Sequence, residues 1–336
     1  MPSPIKKWLY RLKGYRVGKG VSFGFGSVVC GETVDIGERT SLGVLSWIRG
    51  ETIRLGSHVR IGATTFIDTA HVDIGDGTRI NEQVFIGGLQ FPGSRLTVGR
   101  NCQIMQMTFI NPARSITIGD DTGVGGHCLV FGHTSWLSKF EGYPVDFEDI
   151  EIGSSVAISW RVFVLPGSRI GDGVVVGANS LVRGTIPPRC LAVGFPARVV
   201  RTPPEFPRQV SDDEKKTYLK EIVDEMLAYF QASGLTCRSG NADYEIIDHR
   251  PRGWFRRQQT WKLAVHPDEP SDQLPTNLDV MLSLTAIPTP LRQKLSARRV
   301  MWIDIERKER SDYGNDLGEE VAQYLKRYGV RLFRCR

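Results

Sequence analysis

Large apolar residues recur every sixth position through the first 190 residues, at Val17, Phe23, Val29; Ile36, Leu42, Ile48; Leu55, Ile61, Ile67; Ile74, Ile80, Ile86; Val98, Ile104, Ile110; Ile118, Val124, Val130; Ile152, Ile158, Val164; and Ile170, Val176, Val182. Spacing is six within each trio, and one or more residues are added between trios, so the chain reads as a three-sided coil that stacks on itself. Four residues after the large one, a small or β-branched residue recurs (Thr40, Thr65, Thr78, Thr122, Val162, Ser168, Ser180), so a large and a small side chain point inward on each flat face. Glycine commonly follows the large residue (Gly37, Gly56, Gly75, Gly119, Gly153, Gly171, Gly177), and it is expected to supply the unusual dihedrals of a corner. Eight such coils at an inter-strand spacing of ~4.8 Å make a prism roughly 38 Å tall. A β-sandwich or propeller repeats at about 8 to 12 or about 40 residues, and six excludes both.

A stacking coil tolerates insertions only at its corners, so the breaks in the rhythm are informative. One lies between Ile86 and Val98. The larger, between Val130 and Ile152, carries Gly132-His133-Thr134-Ser135-Trp136 and the residues to Pro144, with Glu141, Asp146 and Asp149. A long loop on a rigid scaffold is where function is usually carried.

Composition restricts the classes further. With 40% hydrophobic and 24% charged residues the chain is globular, and its 36 glycines concentrate before residue 195. The net charge of +6 comes without zinc-finger spacing or nucleic-acid-binding aromatic motifs, so no nucleic acid is expected. Six scattered cysteines without a CxxC pair suggest neither a zinc site nor a disulfide framework. No secretion signal or run of 18 apolar residues is present, and a cytoplasmic location is expected. Residues 1–15, with Ile5-Lys6-Lys7-Trp8-Leu9-Tyr10-Arg11-Leu12-Lys13, read as a helix capping the prism, and their basic and apolar mixture also suits weak contact with an anionic membrane surface.

The segment from Ile152-Gly153 through Leu165-Pro166-Gly167, Ile170-Gly171-Asp172-Gly173 and Gly177-Ala178-Asn179-Ser180, then Ile186-Pro187-Pro188 and Val193-Gly194-Phe195-Pro196-Ala197-Arg198, resembles the hexapeptide-repeat acyltransferases. Within them it is most similar to the galactoside, maltose and polysaccharide O-acetyltransferases, over about residues 15 to 202. The resemblance implies a left-handed parallel β-helix of about eight coils over 16–202, a homotrimer with active sites between subunits, acetyl-coenzyme A as donor without a metal, and direct transfer to a saccharide acceptor.

By that resemblance His133 is the general base, a role imidazole suits because it titrates near neutrality. Trp160, Ala178, Arg183, Gly184, Arg198 and Arg201 match coenzyme-contacting positions, with the arginines facing phosphates and the Trp160 N–H facing the thioester carbonyl as it becomes an oxyanion. The acceptor side departs from the family. Met105 stands where galactoside enzymes have Asn, Asn111-Pro112-Ala113 where they have acidic residues, and Ala157 where a tryptophan is common. Met105, Gln106 and Asn111 are the acceptor candidates. Transfer to an amino sugar is a close variant, and a non-catalytic scaffold is a third reading. A β-helical carbonic anhydrase using His71, His127 and His133 fits poorly, because that family's close pair is five apart and His127 and His133 are six apart.

Residues 203–210, with Pro203, Pro204 and Pro207, read as a linker. Residues 211–336 read as a small α/β domain. A capping box Ser211–Glu214 opens a helix closed by Gly234. Strands are expected at Tyr244–Ile247, Trp261–Val265, Val280–Leu284 and Val300–Ile305, and the end is a helix from Leu317 to Tyr328 and a strand Val330–Phe333.

Overall fold

The computed structural model describes residues 3–240, 243–248, 259–270, 274–275 and 277–335. The chain forms two compact units, Met1–Gln209 and Val210–Arg336.

The first unit is the left-handed parallel β-helix that the repeat dictates, with three sheets of nine, ten and eight strands. Each large apolar residue stacks on its counterpart one coil away. In the first sheet the register runs Val17, Ile36, Leu55, Ile74, Val98, Ile118, Ile152, Ile170, Ile186, and all nine are buried. Burial of each contributes about 2 kcal/mol, and the column continues without a break.

The glycines following the large residues do not make the corners. The left-handed backbone falls two residues later, at Arg39, Leu45, His58, Thr64, Gln83, Asn101, Met107, Asp121, His127, Ser155, Arg161, Asn179 and Arg189, and in other coils at a second glycine, Gly20, Gly26, Gly77, Gly167 or Gly173. The glycines answer to a different constraint: a Cβ on Gly37 would lie 2.5 Å from the backbone of Gly56 and Ser57, and one on Gly62 would lie 2.3 Å from the Glu82 nitrogen. Successive coils approach too closely there for any side chain. The small inward residues also join coils. Thr78 Oγ1 donates to the Gly99 carbonyl at 2.7 Å and accepts from the Cys102 N–H at 3.0 Å, which satisfies two corner groups inside the core. Thr40 and Thr122 repeat the arrangement.

Helix α1 (Ser3–Leu12) lies on the first coil, and at the far end Leu191–Gly194 and Ala197–Arg201 close the stack as an antiparallel pair.

Outward-facing columns distinguish the sides. The first sheet alternates charge, with exposed ion pairs Arg16–Asp35 at 3.6 Å and Arg54–Asp73 at 3.7 Å, as a solvated face does. On the third sheet one register column reads Val28, Trp47, Phe66, Phe85, Phe109, Leu129, Phe163, Leu181, apolar at every coil. Phe66, Phe85 and Phe109 stack at 4.9 and 5.0 Å, yet Trp47 and Phe85 remain exposed.

The second unit is a small α/β domain with a seven-stranded sheet in sequential order. Helices Asp212–Ala232 and Asp316–Leu325 cover one face through Phe230, Met226, Val321 and Leu325, and Thr289–Ala297 covers the other through Leu291 and Leu295. Four elements depart from expectation, the first being the strand Leu235–Ser239, which follows the helix-closing Gly234 and pairs with Asp243–Asp248. The strand Glu309–Ser311 is too short to show a period, and helix Thr289–Ala297 carries Pro288 at its N-cap and Pro290 in its first turn, which read as a loop but are tolerated there. The final strand is Phe333–Cys335, later than expected, and it pairs with Glu309–Ser311 rather than with Met301–Asp304.

Candidate active site

The corner between the third and first sheets carries both breaks in the rhythm, with one coil between them that turns at Asn111–Ser115. The larger insertion folds back as a ribbon in which His133 pairs with Phe147 and Thr134 with Asp146. Its root is fixed to the coil below: the Gly132 N–H donates to the Asn111 carbonyl, and Asp149 accepts from the Ser115 N–H at 3.0 Å.

This root holds the imidazole. Asn111 Nδ2 lies 3.0 Å from His133 Nε2, and Ser135 Oγ lies 3.2 Å from Nδ1, so each ring nitrogen has a partner. Phe131 and Phe147 flank the ring at 6.1 and 5.8 Å, and Phe91 from the smaller insertion meets Phe147 edge-on at 4.9 Å. Burial pushes the His133 pKa below its ordinary value, because the cation loses water among aromatic walls. The ring is therefore neutral at pH 7, as a proton acceptor must be.

Asn111 is itself buried. A Cβ on Gly88 would fall 2.2 Å from its amide nitrogen, so the smaller insertion closes directly on it. Its Oδ1 is buried without a partner. Turning the amide over would bring that oxygen to Nε2, where it accepts from a protonated ring nitrogen, so the side chain can serve either protonation state of His133.

The expected site residues divide between two edges of the prism. Asn111, His133, Arg183 and Gly184 follow strands of the third sheet. Met105, Gln106, Trp160 and Ala178 follow strands of the second sheet and lie at the opposite edge of the third, where His127 and the Trp160 ring are 6.0 Å apart. Arg198 and Arg201 are exposed on the closing hairpin. Asn111, expected against an acceptor, bonds to His133, and Met105 Sδ accepts from Asn81 at 3.6 Å. Sequence reading assigned no partner to His133. Glu141 lies in a short 3-10 turn, Thr134 donates to Asp146 at 3.4 Å, and Asp149 holds Ser115, whereas the ring nitrogens of His133 meet Asn111 and Ser135. Ser135 and the Phe91–Phe147 wall were missed; the signal was the alignment of both insertions on one corner.

His71 lies in the first sheet, away from the corner of His127, and no group of three His, Cys, Asp or Glu in metal-binding geometry occurs among the described residues. A groove of about 570 Å³ on the first sheet is lined by Thr117, Glu151, Arg169, Asp172 and Thr185, and it contains none of the expected site residues.

No protein-family model matches the chain. It is 36% identical over 112 residues to an Escherichia coli protein provisionally named lipopolysaccharide biosynthesis O-acetyl transferase WbbJ, covering 30% of this chain and 57% of that protein. It is 31% identical over 139 residues to the galactoside O-acetyltransferase of E. coli, covering 38% and 61%. The chain thus spans about three-fifths of the length of these relatives. Among solved structures, the polySia-specific acetyltransferase NeuO is 18% identical with a TM-score of 0.35, covering 63% of this chain and 98% of that one. A hexapeptide-repeat acetyltransferase of Vibrio cholerae complexed with acetyl coenzyme A is 22% identical with a TM-score of 0.26, covering 59% and 77%. At these scores neither bears on what this chain does.

Proposed function

We propose that this chain transfers an acetyl group from acetyl-coenzyme A to a saccharide hydroxyl in surface-polysaccharide biosynthesis, directly and with His133 as general base. The observation that carries the reading is the neutral imidazole, held on both nitrogens by Asn111 and Ser135 at the root of the corner insertion. A sugar hydroxyl attacks a thioester slowly unless its proton is removed in the transition state; with the Asn111 amide turned so that its oxygen accepts from Nε2–H, the Nδ1 lone pair takes that proton once the Ser135 hydroxyl rotates away. Direct transfer is favoured because the thiols inside the prism are poor nucleophiles: burial pushes Cys102 up to about 11 and raises Cys128 and Cys190. Six free cysteines suit a reducing cytoplasm.

The active unit in this reading is a homotrimer. A partly exposed apolar column along a whole face, with Trp47, Phe85 and Leu129 its most open members, calls for a partner, and a cyclic assembly that turns this face toward its axis sets one edge of each subunit beside the opposite edge of the next. The His133 edge of one subunit then meets the edge carrying Trp160, Ala178, Met105 and Gln106 of its neighbour. Trp136 and Phe140, almost fully exposed on the insertion, gain cover there. Acetyl-coenzyme A fits this boundary: Ala178 and Gly184 leave room for the pantetheine arm, Arg183, Arg198 and Arg201 face its phosphates, and the Trp160 N–H donates to the thioester carbonyl.

The test is thiol release from acetyl-coenzyme A, with mass gain on the acceptor, across saccharides bearing hydroxyls alone or with an amino group. His133→Ala is expected to lower turnover by ~10²–10⁴ with coenzyme binding intact. Unchanged turnover removes His133 from the mechanism, and release only with amino sugars replaces O-transfer by N-transfer.

A further inference from the structure

Helix α1 meets the prism through polar groups. Ser3 Oγ accepts from the Phe23 N–H at 3.0 Å, Lys6 Nζ donates to the Gly24 and Ser27 carbonyls at 3.1 and 2.7 Å, and Tyr10 accepts from the Val29 N–H at 3.0 Å. These bonds occupy end-coil groups that have no further coil to pair with. The apolar residues of the helix are turned the other way. Ile5, Trp8, Leu9 and Leu12, spaced three, four and seven apart, form one stripe and are 49, 61, 39 and 66% exposed.

Charge identifies what covers the stripe. Lys7, Arg11, Lys13, Arg16 and Lys19 surround it in sequence, and no acidic residue precedes Glu32. Among the described residues a carboxylate engages one of these, Arg16, through Asp35; Arg11 donates to the Val17 carbonyl and Lys13 lies over the Tyr15 ring. A second copy of the same surface would oppose cation to cation. Nucleic acid would meet the cations but leave Ile5, Leu9 and Leu12 without partners. A surface that offers phosphates above and hydrocarbon beneath satisfies both sets, and tryptophan favours that boundary.

We infer that α1 docks this protein on an anionic lipid bilayer, with Ile5, Trp8, Leu9 and Leu12 inserted at the headgroup boundary and the flanking cations on the lipid phosphates. One short helix gives reversible attachment, in the plane of the surface. This location is independent of the chemistry assigned to His133.

Flotation of the full chain with phosphatidylcholine vesicles, with and without phosphatidylglycerol, tests it. Binding is expected with the anionic vesicles, weakened by added salt and reduced about tenfold or more both in Trp8→Ser/Leu12→Ser and in Lys7→Glu/Lys13→Glu. The thermal midpoint and acetyl transfer to a soluble acceptor should be nearly unchanged, since Trp8 and Leu12 are exposed and Lys13 gives up only its cation–π contact with Tyr15, at 5.1 Å. Failure of the parent chain to float with anionic vesicles overturns the inference, as does equal flotation of either variant. A fall in oligomer mass in Trp8→Ser/Leu12→Ser, read by light scattering, overturns it in favour of a contact between copies. Should that variant not fold, flotation of Lys7→Glu/Lys13→Glu decides alone.

Discussion

Asn111 Nδ2 and His133 Nε2 lie 3.0 Å apart, joined across neighbouring coils at one corner of the prism. One complete turn carries the chain from Asn111 to Phe131, two residues before His133, so a sequence separation of 22 that suggests no contact becomes a direct one. The buried amide fixes the plane of the imidazole and offers a donor or an acceptor as the ring changes protonation state.

Asn111→Ala should therefore lower kcat about ten- to a hundredfold while leaving KM for acetyl-coenzyme A unchanged, the range expected when an orienting partner of a catalytic ring is lost. Steady-state thiol release checks it. A rise in KM with constant kcat would mean that Asn111 binds substrate instead.

Under the proposed mechanism the lowered pKa of His133 sets the acid limb of activity. Protonation removes the base, so kcat/KM should fall as pH drops, with its midpoint below the ordinary histidine value of 6.5. Stability has the same sign: the folded pKa lies below the unfolded one, so the unfolded chain binds more protons in the interval, and stability present above pH 6.5 declines as pH falls toward the folded value. A pH–rate profile and thermal midpoints from pH 7.5 downward (roughly two units) test both, and His133→Asn should flatten the stability trend.

Gly62→Ala places a methyl 2.3 Å from the Glu82 nitrogen and should cost at least about 3 kcal/mol, since backbone of the next coil cannot step aside. Arg39→Gly, at a φ of +56°, relieves left-handed strain while freeing the unfolded chain, so a net change within about 1 kcal/mol is expected. Denaturant unfolding distinguishes them. The reverse order would return the corner role to the glycines.

Phe85→Glu/Phe109→Glu places carboxylates on the outer apolar column. Light scattering should show loss of the oligomer, with secondary structure intact because both side chains lie outside the core. Acetyl transfer should fall together with mass if two subunits build the site. A fully active monomer would place the whole site in one chain.

Periodicity determined the prism, because a six-residue pulse leaves inward and outward positions no alternative, and every large residue of the eight trios is buried. It also located the corner insertion and His133, since an insertion can enter only where the coil turns. It misassigned the glycines: whether a residue is needed for its dihedrals or for its missing side chain depends on the neighbouring coil, and a single strand of sequence does not display that neighbour. The tertiary structure alone decided that Asn111 and Ser135, rather than Glu141, Asp146 or Asp149, hold the imidazole, and that α1 turns its apolar stripe away from the prism. Both depend on distances between residues remote along the chain, and such distances exist only once the coils are stacked.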